Sequence, residues 1–220
     1  GARADWAAAG AAMAAELTPH EHMKLRMLNG THSALAYLGY LAGHETIAAT
    51  MADPVFAGFA ERLWRDEIIP VLQPPPGADL AAYAQALARR YANPAIAHRT
   101  WQIAMDGSQK LPQRILATLA ETFATGRAAP PGLVLAVAGW MRYVGGVDEQ
   151  GAAIEVKDPL AAQLRAASEA AGGAAAKVAA LLAQGAIFSP AMAAALQAPV
   201  TAAYARLLAL GARGAIQEIS

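Results

Sequence analysis

The chain has 220 residues, and its 17 Lys and Arg balance 17 Asp and Glu to a formal net charge of zero. That length fits one large domain, or a domain with a small appendage, around a sizeable core, and the balanced charge without a Lys/Arg stripe argues against nucleic acid as the main partner. Hydrophobic residues make up 56% of the chain, mostly through Ala, and there is no Cys, which excludes disulfides, thiolate metal sites and a cysteine nucleophile.

Gly1 to Leu17 starts in mid-pattern without an initiator Met and reads as part of a fragment or a separately expressed domain. Thr18-Pro19 reads as an N-cap with Pro at the first helical position, and Glu21 adds charge to the first turn. The helix so started carries the densest chemical signal in the sequence, Lys24-Leu25-Arg26-Met27-Leu28-Asn29-Gly30-Thr31-His32-Ser33. At roughly 100° per residue, Asn29 lies about 140° round from Lys24 and His32 about 80°. One arc can therefore carry an ammonium, a carboxamide and an imidazole, groups that suit carbonyl chemistry. A lysine desolvated in a pocket exchanges protons with an alcohol or a carbonyl oxygen near neutral pH. Asn donates to a developing alkoxide without changing charge, and His orients a substrate hydroxyl. The same residues also fit a blander pattern: solvated charges at Lys24 and Arg26, a helix stop at Asn29-Gly30 and a surface histidine. An interior Gly costs a helix about 1 kcal/mol against Ala. Gly30 therefore points to a kink, or to close approach of a ligand or a second helix.

The helix resumes over Thr31 to His44, and a short one is expected over Thr46 to Met51. Asp53-Pro54 opens a longer helix, in which Phe56, Phe59, Leu63, Trp64, Ile68 and Ile69 recur at three- and four-residue steps as a core-facing stripe does. Gln73 to Gly77 is a loop. Asp79 caps the next helix, to about Tyr91, and Asn93-Pro94 opens another through Arg99 to about Met105. Asp106-Gly107-Ser108 interrupts it before Lys110 to Thr125. The longest strongly apolar stretch, Leu133 to Met141, is too short to span a bilayer and is closed by Arg142. With no leader-like start, a cytoplasmic location and no membrane partner are expected. Gly145 to Gly151 is a turn-rich connector without the acidic ladder of a calcium loop. Asp158-Pro159 starts a series of helices broken at Gly172-Gly173, Gly185, Ser189-Pro190 and Gly211. No alternating β-branched run and no period of 30 to 45 residues appears, so the fold class is all-α and not a solenoid.

Two chemical signals are missing. No G-x-G-x-x-G follows a strand, so a dinucleotide site cannot be read here. The five His and 17 acidic residues form no H-E-x-x-H or equivalent set. In His20-Glu21-His22 the i, i+2 spacing turns the histidines to different helix faces, and no metal is expected.

The Lys24 block has the form K-x-x-x-x-N-x-x-H, which resembles the signature of the mannitol dehydrogenase family, the polyol-specific long-chain dehydrogenases and reductases that include fructuronate reductase (D-mannonate oxidoreductase). Gly1-Ala2-Arg3-Ala4-Asp5-Trp6 with Ala9-Gly10 looks like the family's G-R-P-x-W-x-x-x-G opening, with a one-residue irregularity. Thr18-Pro19-His20-Glu21 looks like its T-P-Y-E lead-in, with His for Tyr. His98 to Arg114 looks most like the fructuronate reductase branch. The likeness covers nearly the whole chain and is weakest in the Ala-rich C-terminal third.

The resemblance implies a multi-helical C-terminal domain over residues 1–220, similar to the C-terminal fold of 6-phosphogluconate dehydrogenase. The N-terminal Rossmann domain of the same protein, which binds NAD and supplies a second catalytic Asn, would lie outside this chain, with the active site in the cleft between the two. The implied reaction is NAD-dependent interconversion of D-mannonate and D-fructuronate. A mannitol- or arabinitol-type polyol 2-dehydrogenase is the alternative, and a helical module without chemistry the third reading. Lys24 would be the general acid/base, Asn29 the stabiliser of the alkoxide and His32 the group that orients substrate. Lys110, following D-G-S-x, is implied at the substrate pocket. Gln102 stands where Arg is expected in mannitol-type members, which speaks against mannitol. Arg99 and Arg114 suit bidentate pairing with a uronate carboxylate or a structural ion pair, the latter being the better reading for Arg114. Asp106 reads as a helix cap rather than a catalytic acid.

Overall fold

The computed structural model describes residues 18–219; the family-like opening at Gly1 to Gly10 lies outside them. Among the described residues all regular structure is helical, apart from isolated bridges pairing Thr46 with Arg99 and Val147 with Ala153. The α-helices are α1 (Thr18–Met23), α2 (Thr31–Leu41), α3 (Ile47–Ala52), α4 (Pro54–Arg62), α5 (Leu80–Tyr91), α6 (Thr100–Ala104), α7 (Gly107–Leu111), α8 (Ala117–Ala124), α9 (Pro131–Val144), α10 (Ala161–Ala170), α11 (Gly173–Leu182) and α12 (Pro190–Glu218). Three π-helical turns, Lys24–Gly30, Leu63–Ile68 and Pro112–Leu116, sit inside the longer helical runs.

The core is built on α9, which packs between α2 and α12. It is buried at every position except Pro131 and Arg142, and α2 at every position except Tyr40. Helices that are covered all round need no polar face. Gly139 lets α2 close in: a Cβ there would lie 2.7 Å from Leu38 Cδ2. The stripe on α4 and the turn after it fills the same core, with Phe56, Phe59, Leu63, Trp64 and Ile68 all buried.

Helix starts follow local chemistry. Asp53 accepts from Val55 N–H ahead of Pro54, Asp79 from Ala82 N–H, and Ser189 from Met192 N–H ahead of Pro190. Tertiary bonds override two expected starts. Asn93 to Arg99 is not helical, because His98 C=O accepts from Ile47 N–H and Thr100 N–H donates to Glu45 C=O, so α6 begins only at Thr100. Asp158 serves a loop: its carboxylate accepts from the backbone and the hydroxyl of Ser108 as well as from Leu160 N–H, and α10 starts at Ala161.

Helix α12 is also a longer apolar element than Leu133 to Met141, and by length and composition alone it could cross a membrane. Its Leu196, Val200, Tyr204 and Leu207 are buried, and it packs on α9 and α11. Gly211 (φ 68°, ψ 174°) breaks it, and Arg213 beyond the break pairs with Asp53 at 2.8 Å.

The N-terminus of α9 is capped from a distance. The Glu67 carboxylate accepts from Gly132 and Leu133 N–H, both at 2.8 Å. Burial raises this carboxyl from 4.5 to about 7, with the two amide donors pulling the other way. Between those values the native chain binds more protons than the unfolded one. The contribution to stability is therefore full below about 4.5 and is lost as pH rises through about 7. Denaturant titrations at about pH 5 and about pH 8 are expected to show a flatter pH dependence in Glu67→Gln than in wild type, since the amide keeps an acceptor and cannot ionise.

Candidate active site

The helix that starts at Thr18 does not stop at Asn29-Gly30. It runs on into α2, but over Lys24–Gly30 it takes the π register. Backbone bonds in a π turn run i→i+5, so residues five apart lie one turn above another. Lys24 and Asn29 are such a pair, and not 140° apart as α-helical spacing implied. Asn29 and His32 are then i, i+3 neighbours on a common face. The expected alignment of the three residues is thus tighter than the sequence suggested. Lys24 is exposed, Asn29 is half-buried and His32 is buried. The desolvation that acid–base work by Lys24 requires is not supplied by the described residues.

The π turn is clamped by groups far away in sequence. Trp64 Nε1 donates to Met27 C=O at 2.9 Å, and the Tyr91 hydroxyl donates to Leu28 C=O. Arg26, within the turn, is buried and makes a two-pronged ion pair with Glu121 on α8. Gly30 answers the question its helix cost raised: a Cβ there would lie 2.5 Å from the Arg114 carbonyl oxygen, so the close approach is to the π turn Pro112–Leu116.

His32 lies against this clamp. Its ring stacks on Tyr91 (centroids 5.1 Å apart, planes at 18°) and tilts against His98 at 5.3 Å. Burial, with the charges of His98, Arg114, Arg90 and Lys110 behind it, lowers its pKa from 6.5 to about 3. The imidazole is therefore neutral at physiological pH, and its Nε2 has no hydrogen-bond partner among the described residues. Burial likewise pushes the Tyr91 phenol well above the usual tyrosine range, so it remains a donor.

Lys110 and Arg114 share the next stretch. Lys110 is half-buried, its Nζ lies 3.5 Å from the Ile103 carbonyl and 3.9 Å from Asp106 Oδ2. Burial lowers its pKa, and Arg114 adds to the effect. Arg114 Nη1 donates to Ser33 Oγ at 3.1 Å, and burial lowers the guanidinium too. Asp106 stands at a left-handed backbone position (φ 55°), where a non-glycine residue is uncommon. It makes no side-chain cap at α7. Its backbone N–H donates to Lys157 C=O, and Ser108 is bound to Asp158, which fixes the loop ahead of Lys110. Gly107 has no room for a side chain: a Cβ would lie 2.5 Å from Trp140 Nε1 and 2.7 Å from the Tyr37 hydroxyl.

The remaining candidates stand apart from this cluster. Arg99 is exposed and faces Glu45 at 3.7 Å, on the wall of a separate cleft of about 520 Å³ with His44, Trp101 and Glu155. Gln102 is exposed on α6. The ion-pair reading thus falls to Arg99 rather than to Arg114, which has no carboxylate partner among the described residues. Sequence reasoning missed Tyr91, His98 and Trp64, whose only sequence signals were an aromatic at a helix end, a histidine ahead of Arg99 and a core-stripe tryptophan.

The fold is a multi-helical domain with Lys24, Asn29 and His32 on one face of its first helical run. The model of the mannitol dehydrogenase C-terminal domain matches residues 16–208, and the chain belongs to that family. It is 49% identical over 219 residues to D-mannonate oxidoreductase of Escherichia coli (strain K12), covering 99% of this chain and 45% of that protein. It is 39% identical over 153 residues to mannitol 2-dehydrogenase of Aspergillus fumigatus, covering 69% of this chain and 30% of that protein. The structure of Pseudomonas fluorescens mannitol 2-dehydrogenase, a ternary complex with NAD and D-mannitol, matches with a TM-score of 0.91 at 33% identity, covering 99% of this chain and 44% of that one. The chain thus spans less than half the length of these relatives.

Proposed function

We propose that this chain is the helical catalytic and substrate-binding domain of an NAD-dependent oxidoreductase that interconverts D-mannonate and D-fructuronate. The dinucleotide would be held mainly by an N-terminal Rossmann domain of the same protein. The observation that carries this reading is the face formed by Lys24, Asn29 and His32 on a π-distorted helix, in a chain 49% identical to a D-mannonate oxidoreductase. Among the described residues no strand–turn–helix is available to hold a dinucleotide. The unpartnered Nε2 of buried His32 instead fits a sugar hydroxyl. NAD, when bound, supplies the hydride acceptor; the exposed side of the Lys24–Gly30 turn is where this chain would meet the part that carries it.

In the oxidation direction Lys24, as the free amine, takes the hydroxyl proton from the carbon that becomes the carbonyl. The C–H hydrogen of that carbon leaves as hydride, and the C=O bond forms. Asn29 donates its NH₂ to the oxygen as negative charge builds on it. Neutral His32 hydrogen-bonds a neighbouring hydroxyl and, with its pKa near 3, does not compete with Lys24 for the proton. In reduction the same groups act in reverse. A polyol 2-dehydrogenase is the second reading, supported by the match to a mannitol complex at TM-score 0.91.

The test is NADH oxidation by the full-length protein with D-fructuronate and with D-fructose. Fast turnover of fructuronate alone is expected. Preference for fructose would move the protein to the polyol branch, and turnover of neither by a folded protein that binds NADH would leave a helical module without this chemistry.

A further inference from the structure

We propose that Arg114 is the specificity-determining residue of this site, binding the carboxylate of a sugar-acid substrate with Lys110 as its companion cation; this rests on the sugar-acid reading above.

The first observation is a missing partner. Arg26, Arg65, Arg99, Arg165, Arg206 and Arg213 each face an Asp or Glu. Arg114 is half-buried, yet among the described residues its one hydrogen bond goes to the neutral Ser33 hydroxyl at 3.1 Å. One Nη1 hydrogen is used there, which leaves most of a planar fork of five donors free. The second observation is the company it keeps. Lys110 lies four residues earlier, half-buried, and its nearest carboxylate, Asp106, is 3.9 Å away. Two cations drawn together and partly out of water disfavour each other's charged state. An anion that joined them would remove that cost, and a planar carboxylate matches the guanidinium fork.

The third observation is position. Ser33, which holds Arg114, follows His32 directly in α2. The charges that act on His32 are those of His98, Arg114, Arg90 and Lys110, all basic. A carboxylate seated on Arg114 would therefore sit in a field that favours an anion, bound one residue along α2 from His32. Arg99, the more obvious candidate in sequence, is already paired with Glu45 in another cleft.

The experiment measures kcat/KM for D-fructuronate and for D-fructose with NADH, in the full-length protein and its Arg114→Gln and Arg114→Lys variants. The ratio of the two is expected to fall about 100-fold in Arg114→Gln, mainly through KM for fructuronate. Arg114→Lys keeps a cation but loses the fork, and its ratio is expected to fall at least threefold. A ratio within threefold of wild type in a folded Arg114→Gln overturns the proposal. If that variant does not fold, an unchanged ratio in Arg114→Lys does so instead. A wild type with no preference for fructuronate fails earlier and overturns the functional reading itself, and this proposal with it.

Discussion

Lys24→Ala in the full-length protein is expected to lower turnover by about 10²- to 10⁴-fold, the range for removing a positioned acid–base group. Its stability is expected to stay within about 0.5 kcal/mol of wild type, as for other surface substitutions. The two expectations come from one fact. The Lys24 side chain is exposed and takes no part in the hydrogen bonds or ion pairs of the described residues, so the fold does not depend on it. Thermal melts and steady-state kinetics on the same preparation separate the effects. A variant that kept its turnover would remove the acid–base role. One that lost its fold would place Lys24 in the framework.

Gly30→Ala has the second-largest expected effect, and here two terms oppose each other. Helix propensity favours Ala by about 1 kcal/mol, and the backbone at Gly30 is ordinary right-handed helix (φ −64°, ψ −53°). The added Cβ, however, would meet the Arg114 carbonyl oxygen at 2.5 Å. That atom is backbone inside another helical turn and cannot swing aside. Overpacking of this kind costs about 3 kcal/mol at the upper end of its usual range, so a net loss of about 2 kcal/mol is expected. Urea titrations should show a lower midpoint at unchanged slope. A stabilised variant would mean that the two π turns are not in contact. Turnover should fall as well, because the shift separates the Lys24 turn from the turn that carries Arg114.

Much of this architecture is local and therefore legible. Asp53-Pro54, Asp79 and Ser189-Pro190 cap helices with side chains two or three residues away, and the sequence carries both partners. The three residues of the proposed catalytic face stand within nine positions of one another, but it is the resemblance to a family signature and not their spacing that singles them out. What could not be read depends on distant groups. The π register at Lys24–Gly30 is held by Trp64 and Tyr91, which lie 37 and 63 residues from the carbonyls they bind. Asn93 to Arg99 has a convincing helix start, but the segment around Glu45 and Ile47 takes its backbone bonds. Arg114 looked like one more ion-paired arginine, and only the folded chain shows that no carboxylate among the described residues reaches it. The burial that makes His32 neutral is equally a property of Tyr91, His98 and their neighbours rather than of the block itself.

The π turn also makes the number of residues a chemical parameter. An i→i+5 turn holds one residue more than an i→i+4 turn. Deleting Leu28, which carries none of the proposed chemistry, would let the segment relax into a regular α-helix of unremarkable composition. Lys24 and Asn29 would then stand four residues apart on an α-helix, about 40° round from each other and still neighbours on one face. Relaxation to the α register without the deletion would instead leave them about 140° apart, so the five-residue interval and the π register keep the face only together.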